Sequence, residues 1–129
     1  GGQTSTLLTA VTILTSLTNP ELLEIGYADT TENQVLRLAR LANEAGMDGV
    51  VCSALEITAL RAALLGTFLL VTPGIRPVNA SKDDQNRTQT PGEAVHLGSN
   101  YLVIGRPVTQ AQDPAGKMRS IYAEIQSKK

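Results

Sequence analysis

Two arginines stand where a ligand's negative charge could be gripped. Arg76 lies in "LLVTPGIRP" (69–77) and Arg106 in "YLVIGRPV" (101–108). In both, an apolar run reaches a glycine, Gly74 or Gly105, and a permanently charged side chain follows within two residues. Glycine lets the backbone approach a ligand closely. A guanidinium is a planar fork of donors that matches phosphate oxygens. The implied chemistry is phosphate binding. The plainer alternative is that each arginine pairs with a loop carboxylate. Recurrence of the same grammar at the ends of consecutive strands favours phosphate.

Other reactive side chains are few. Cys52 is the only cysteine and His96 the only histidine. Cys52 sits in the apolar run "DGVVCSA" with no histidine nearby in sequence, which reads as a buried, inert thiol. His96, in "GEAVHLGS", has no clustered Cys, Asp or Glu partners and reads as structural or surface, so no metal site is expected. A single cysteine fits a reducing cytosol, and a cytoplasmic location is expected. The net charge of −1, from 11 basic and 12 acidic residues, gives no footprint for nucleic acid. Aromatics are 3% with no Trp, which removes base-stacking platforms. No apolar run approaches the roughly 18 residues of a membrane span.

The elements that must position the arginines follow from pattern. "LLTAVTIL" (7–14) reads as a buried strand, "DGVVCSA" (48–54) as a second, "TFLLVTP" (67–73) as a third and "NYLVIG" (100–105) as a fourth. Helices are expected between them at 19–26, 30–46, 55–66 and 90–98, with another at 113–126. Thr30 and Thr90 suit N-caps, and Gly46 and Gly66 suit helix stops. Val35, Leu38, Ala39, Ala42 and Ala45 fall on one helical face. The polar stretch 76–89 is long for a connection and reads as a lid loop.

Apolar strands alternating with helices mean a parallel sheet covered by helices. No G-x-G-x-x-G and no Walker loop occurs, which turns the reading from a doubly wound sheet to a (β/α)8 barrel. A complete barrel has eight units in about 250 residues. Four units in 129 residues make a single domain that is half a barrel. If these are strands five to eight, Arg76 and Arg106 follow the seventh and eighth, where barrels hold phosphate.

At this level of detail the chain resembles the C-terminal half of bacterial orotidine 5′-monophosphate decarboxylases. The likeness rests on "AVTILTSL", "GMDGVVCSALE", "LLVTPGIRP", "DDQNR" and "YLVIGRPVTQAQDP", and Gly1-Gly2 resembles the family's glycine pair after its fourth strand. The resemblance implies a barrel homodimer that converts orotidine monophosphate to uridine monophosphate, the last step of de novo pyrimidine nucleotide synthesis, with no metal and no organic cofactor. It implies substrate contacts at Thr15 (pyrimidine edge), Arg76, Gln85 (mobile loop to phosphate), Gly105 (backbone N–H to phosphate) and Arg106 (side-chain clamp). A hydroxyl both donates and accepts, which suits the imide N–H and carbonyl of a pyrimidine edge.

The departure matters equally. The family's catalytic lysines and aspartates surround a D-x-K-x-x-D motif on its first three strands, and no D-x-K occurs here. Lys82, Asp83 and Asp84 lie together without that spacing and read as solvated. No catalytic residue is therefore expected in this chain, and the missing N-terminal half of the barrel is the expected partner. Two alternatives remain: a sister sugar-phosphate barrel of the hexulose phosphate synthase type, and a non-catalytic phosphate-binding half-barrel.

Overall fold

The computed structural model describes residues 6–77 and 88–127. Its elements are β1 (Thr9–Val11), α1 (Asn19–Glu24), α2 (Thr31–Glu44), β2 (Gly49–Val51), a 3-10 turn (Ala54–Glu56), α3 (Ile57–Ala63), β3 (Leu69–Thr72), α4 (Pro91–Leu97), β4 (Tyr101–Leu102), α5 (Arg106–Thr109) and α6 (Pro114–Ser127). The strands form one parallel sheet in the order β1-β2-β3-β4. Sequential parallel neighbours joined through helices are the repeat of a (β/α) barrel.

Capping chemistry sets the helix starts. The Thr30 hydroxyl accepts from Asn33 N, and Thr90 forms a reciprocal box with Glu93. For α1 the cap is Thr18 rather than Asn19. The Asn19 side chain serves the next helix instead, accepting from Thr31 N at 2.8 Å. On α2, Val35, Ala39 and Ala42 are buried as expected, but Leu38 is only half-buried and Ala45, at the cap, is exposed.

Several expected boundaries are corrected. The helix expected at 55–66 divides into the 3-10 turn and α3, and it ends before Gly66 because Leu64 turns extended. The fourth strand pairs only over Tyr101–Leu102. The unforeseen α5 begins directly at Arg106; Pro107 in its first turn costs no ladder bond there. The largest correction concerns the first strand. Only Thr9–Val11 pair, and Leu7, Leu8, Val11 and Leu14 are all more than half exposed. The cause is position. β1 is an edge of the sheet, and helices cover only one sheet face.

On that covered face lies the core. Val50 and Leu70 pack in one cluster with Val35 and Ala39 of α2, Ile57 and Leu60 of α3, and Ala94 of α4. Arg61, in the last turn of α3, closes this layer toward β4. Its Nε and Nη2 donate to Gly98 O at 3.0 and 2.7 Å, Nη1 to Phe68 O at 2.7 Å, and Nη2 also to Asn100 Oδ1. Asn100 Oδ1 in turn accepts from Leu70 N at 2.9 Å. One guanidinium thus joins α3, the entry to β3 and the α4–β4 turn. Burial pulls its pKa below the usual value, with a smaller opposing influence from Cys52. Arg61→Met is expected to cost about 2–4 kcal/mol, because partly buried carbonyls lose charged donors. Urea unfolding at fixed protein concentration checks this. Arg61→Lys should recover less than half, since a compact ammonium cannot reach three acceptors in one plane.

Candidate functional site

The carboxyl ends of all four strands converge on one cavity of about 380 Å³. After β1 the chain contributes Ile13, Leu14, Thr15 and Ser16; after β2, Cys52; after β3, Pro73, Gly74 and Arg76; after β4, Val103, Gly105 and Arg106. Val11 and Val51 complete the wall. Thr15, Arg76, Gly105 and Arg106, assigned to substrate contact by resemblance, are therefore brought together. Gln85 and the neighbouring Lys82, Asp83 and Asp84 lie outside the described residues, as does most of the stretch 76–89.

Each member is placed by local structure. Thr15 is buried, four residues past the end of β1. Gly74 has φ +72, a left-handed conformation that side chains resist. It turns the chain after β3 so that Ile75 enters the core fully and Arg76 is 8% exposed. Two backbone links pin this turn: Ile75 bridges Gln89, and Arg76 N donates to Gln89 O at 2.9 Å. The two ends of the polar stretch are thereby fastened beside the cavity. Arg76 Nη1 donates to Ile75 O at 3.0 Å, which orients the guanidinium.

Gly105 caps α5, its carbonyl accepting from Val108 N at 2.9 Å and Thr109 N at 3.1 Å. A Cβ added at Gly105 would meet nothing within 4 Å, so the space beside its backbone is open. Arg106, the first residue of α5, is half-buried. The site thus offers two guanidinium groups at one end, a buried hydroxyl, and an apolar wall of Val11, Ile13, Val51 and Val103. That combination accommodates a ligand with an anionic end and a flat, partly apolar body.

Sequence reasoning missed part of the lining. Cys52 is buried as expected, but it also borders the cavity. Ser16 and the apolar wall were not foreseen. A signal for the wall existed: Val11, Ile13 and Thr15 alternate, and side chains two apart along an extended chain share a face. Among the described residues no group of His, Cys, Asp and Glu has a metal-binding arrangement.

A parallel β/α sheet with its cavity at the carboxyl strand ends defines a (β/α)-barrel protein. Comparison with known proteins narrows the class. Residues 2–121 match the Orotidine 5'-phosphate decarboxylase / HUMPS family, and the chain belongs to it. It is 54% identical over 121 residues to the orotidine 5'-phosphate decarboxylase of Opitutus terrae, covering 94% of this chain and 53% of that protein. To the protein of the same name from Nitrosococcus oceani it is 57% identical over 118 residues, covering 92% and 51%. The crystal structure of the orotidine 5'-phosphate decarboxylase from Lactobacillus acidophilus superposes with a TM-score of 0.77 at 39% identity, covering 96% of this chain and 51% of that one. The chain spans about half the length of the curated relatives it matches.

Proposed function

We propose that this chain forms the nucleotide-binding half of an orotidine 5′-phosphate decarboxylase. The observation that carries the reading is the convergence of Thr15, Arg76, Gly105 and Arg106 on one cavity. Identity above half to relatives of that name, over more than nine-tenths of the chain, supports the substrate. In this reading Arg106 and the Gly105 N–H hold the 5′-phosphate, joined by Arg76 and by Gln85 from the loop. Thr15 addresses the pyrimidine edge. The apolar wall packs against the ring.

The reaction breaks the bond between C6 and the carboxylate, releases CO2 and leaves the electron pair on C6. A lysine then protonates that carbon. The lysine and its aspartates belong to the D-x-K-x-x-D segment that these 129 residues lack. Gripping a remote phosphate still serves the chemical step, because binding energy of a non-reacting group can orient the reacting ring. The complete enzyme is proposed to act as a homodimer in the cytoplasm. Among the described residues, no helix is long and apolar enough to cross a membrane.

Thr15→Val tests the nucleobase assignment. The substitution keeps the shape and removes the hydroxyl. With the chain co-expressed beside the N-terminal half of the Opitutus terrae relative, uridine monophosphate should bind about tenfold more weakly, the equivalent of about 1.4 kcal/mol. Ribose 5-phosphate should bind unchanged. Equal losses for both ligands would move Thr15 away from the base and reopen the sugar-phosphate alternative. Titration calorimetry reads both.

A further inference from the structure

Helices dress only one face of the sheet. Val50 and Leu70 point into that covered layer and are 0% and 1% exposed. The strand register sets Val11 opposite Val51, Val51 opposite Val71, and Val71 opposite Tyr101. Neighbours along a strand face opposite ways, so this row lies on the other face. Its outer members, Val11 and Tyr101, are 60% and 54% exposed, and Val103, two residues beyond Tyr101, is 51% exposed. An apolar strip therefore crosses the whole uncovered face. Among the described residues, β1 and β4 each have one strand neighbour, so the sheet also presents two open hydrogen-bonding edges. An open edge is a template for another strand, and a continuous apolar patch invites a partner.

We infer that the partner taken by the 129-residue chain is a second copy of itself, closing an eight-stranded barrel around a twofold axis parallel to the strands. The inference rests on the fold and not on the decarboxylase reading. Three observations select the second copy. The two open edges belong to parallel strands, so a twofold along the strands lays β4 of each copy beside β1 of the other without reversing any strand. Four strands from each copy give eight, the number at which inward side chains alone fill a barrel. The chain also superposes, at a TM-score of 0.77, on 51% of the length of a solved family member. Its sheet is therefore curved through about half of a closed ring. One twofold completes that ring and leaves no further edge, so association stops at two copies.

The purified chain, at about 50 µM, is expected to sediment at twice 13.7 kDa. Val11→Asp combined with Val103→Asp places charge on the facing strips and should return the mass to that of one chain, with helical circular dichroism retained. A monomeric parent overturns the inference, and so does a dimer indifferent to the paired aspartates. Disulfide scanning keeps the question answerable if that variant fails to fold. In a Cys52→Ala background, Tyr101→Cys is combined in turn with Leu7→Cys, Thr9→Cys or Val11→Cys, allowing for the stagger of strands at a barrel seam. Within one copy these positions lie three strand spacings apart, about 14 Å, beyond disulfide reach. A closed pair gives a covalent dimer and nothing larger in at least one register. A ladder of higher species, or monomer in all three, refutes closure by a second copy.

Discussion

Arg106→Ala should weaken uridine monophosphate binding by about 2–4 kcal/mol, some 30- to 1000-fold in Kd, while leaving uridine affinity within about twofold. The contrast between the two ligands is the informative part. They share the base and sugar and differ only in phosphate, so a loss confined to the nucleotide assigns Arg106 to the phosphate. The size follows from its placement. Arg106 is half-buried in the first turn of α5, beside open space at Gly105. A charged hydrogen bond there is partly shielded from water and worth more than a surface pair. Arg106→Lys keeps the charge but loses the fork and should recover only part of the affinity. Arg76 is a poorer probe. It is 8% exposed and bonds its own turn through Ile75 O, so its removal would disturb the loop base together with the ligand. Titrating both ligands into the chain co-assembled with a relative's N-terminal half makes the measurement. Equal weakening of uridine would place Arg106 in the fold rather than at the phosphate.

The physical reasons for what was legible in the sequence lie in particular residues. Strand order and parallel direction could be read because apolar runs alternate with well-capped helices, and Thr30, Thr90 and Pro91 act locally. The arginine pair could be read because glycine followed by arginine at a strand end serves no packing need. The exposure of Val11 and Leu14 could not be read. A barrel interior and a helix-covered face demand the same residue types, and only the absence of a facing layer separates them. Helix α5 was hidden for a related reason. "RPVT" has no period long enough to detect, and Pro107 reads as a breaker although the first turn accepts it. Cys52 was placed correctly as buried, but one-dimensional pattern does not reveal that its strand ends at the cavity. Thr15 was assigned by family likeness, and neither its burial nor its spacing alone would have distinguished it from an ordinary strand-end threonine.

The largest expected effect concerns turnover. The 129-residue chain by itself should show no measurable decarboxylation of orotidine monophosphate, with a rate at least about 10⁴-fold below that of the reconstituted protein. The cavity supplies binding groups, but Arg76 and Arg106 do not give up protons at neutral pH and Thr15 is a weak acid. A positioned proton donor alone is worth about 10²–10⁴-fold, and the carboxylates that would act on the substrate's own carboxylate are missing as well. Co-expression with the N-terminal half of the Opitutus terrae relative should restore activity, because the uncovered strip of Val11, Val51, Val71 and Tyr101 would then meet the other barrel half. Self-pairing through the same face predicts how restoration proceeds on mixing separately purified halves. The added half must replace a second copy, so recovery should be slow and should weaken as the concentration of this chain rises at fixed complement. Carrying Arg106→Ala into the reconstituted protein should lower kcat/KM by the same factor as nucleotide affinity or more, since phosphate binding serves the chemical step as well as capture. Carbon dioxide release from carboxyl-labelled orotidine monophosphate measures all of these. Turnover by the lone chain would relocate the catalytic group to these residues. Failure of co-expressed halves to yield activity, with a stable complex in hand, would break the decarboxylase reading while leaving the fold intact.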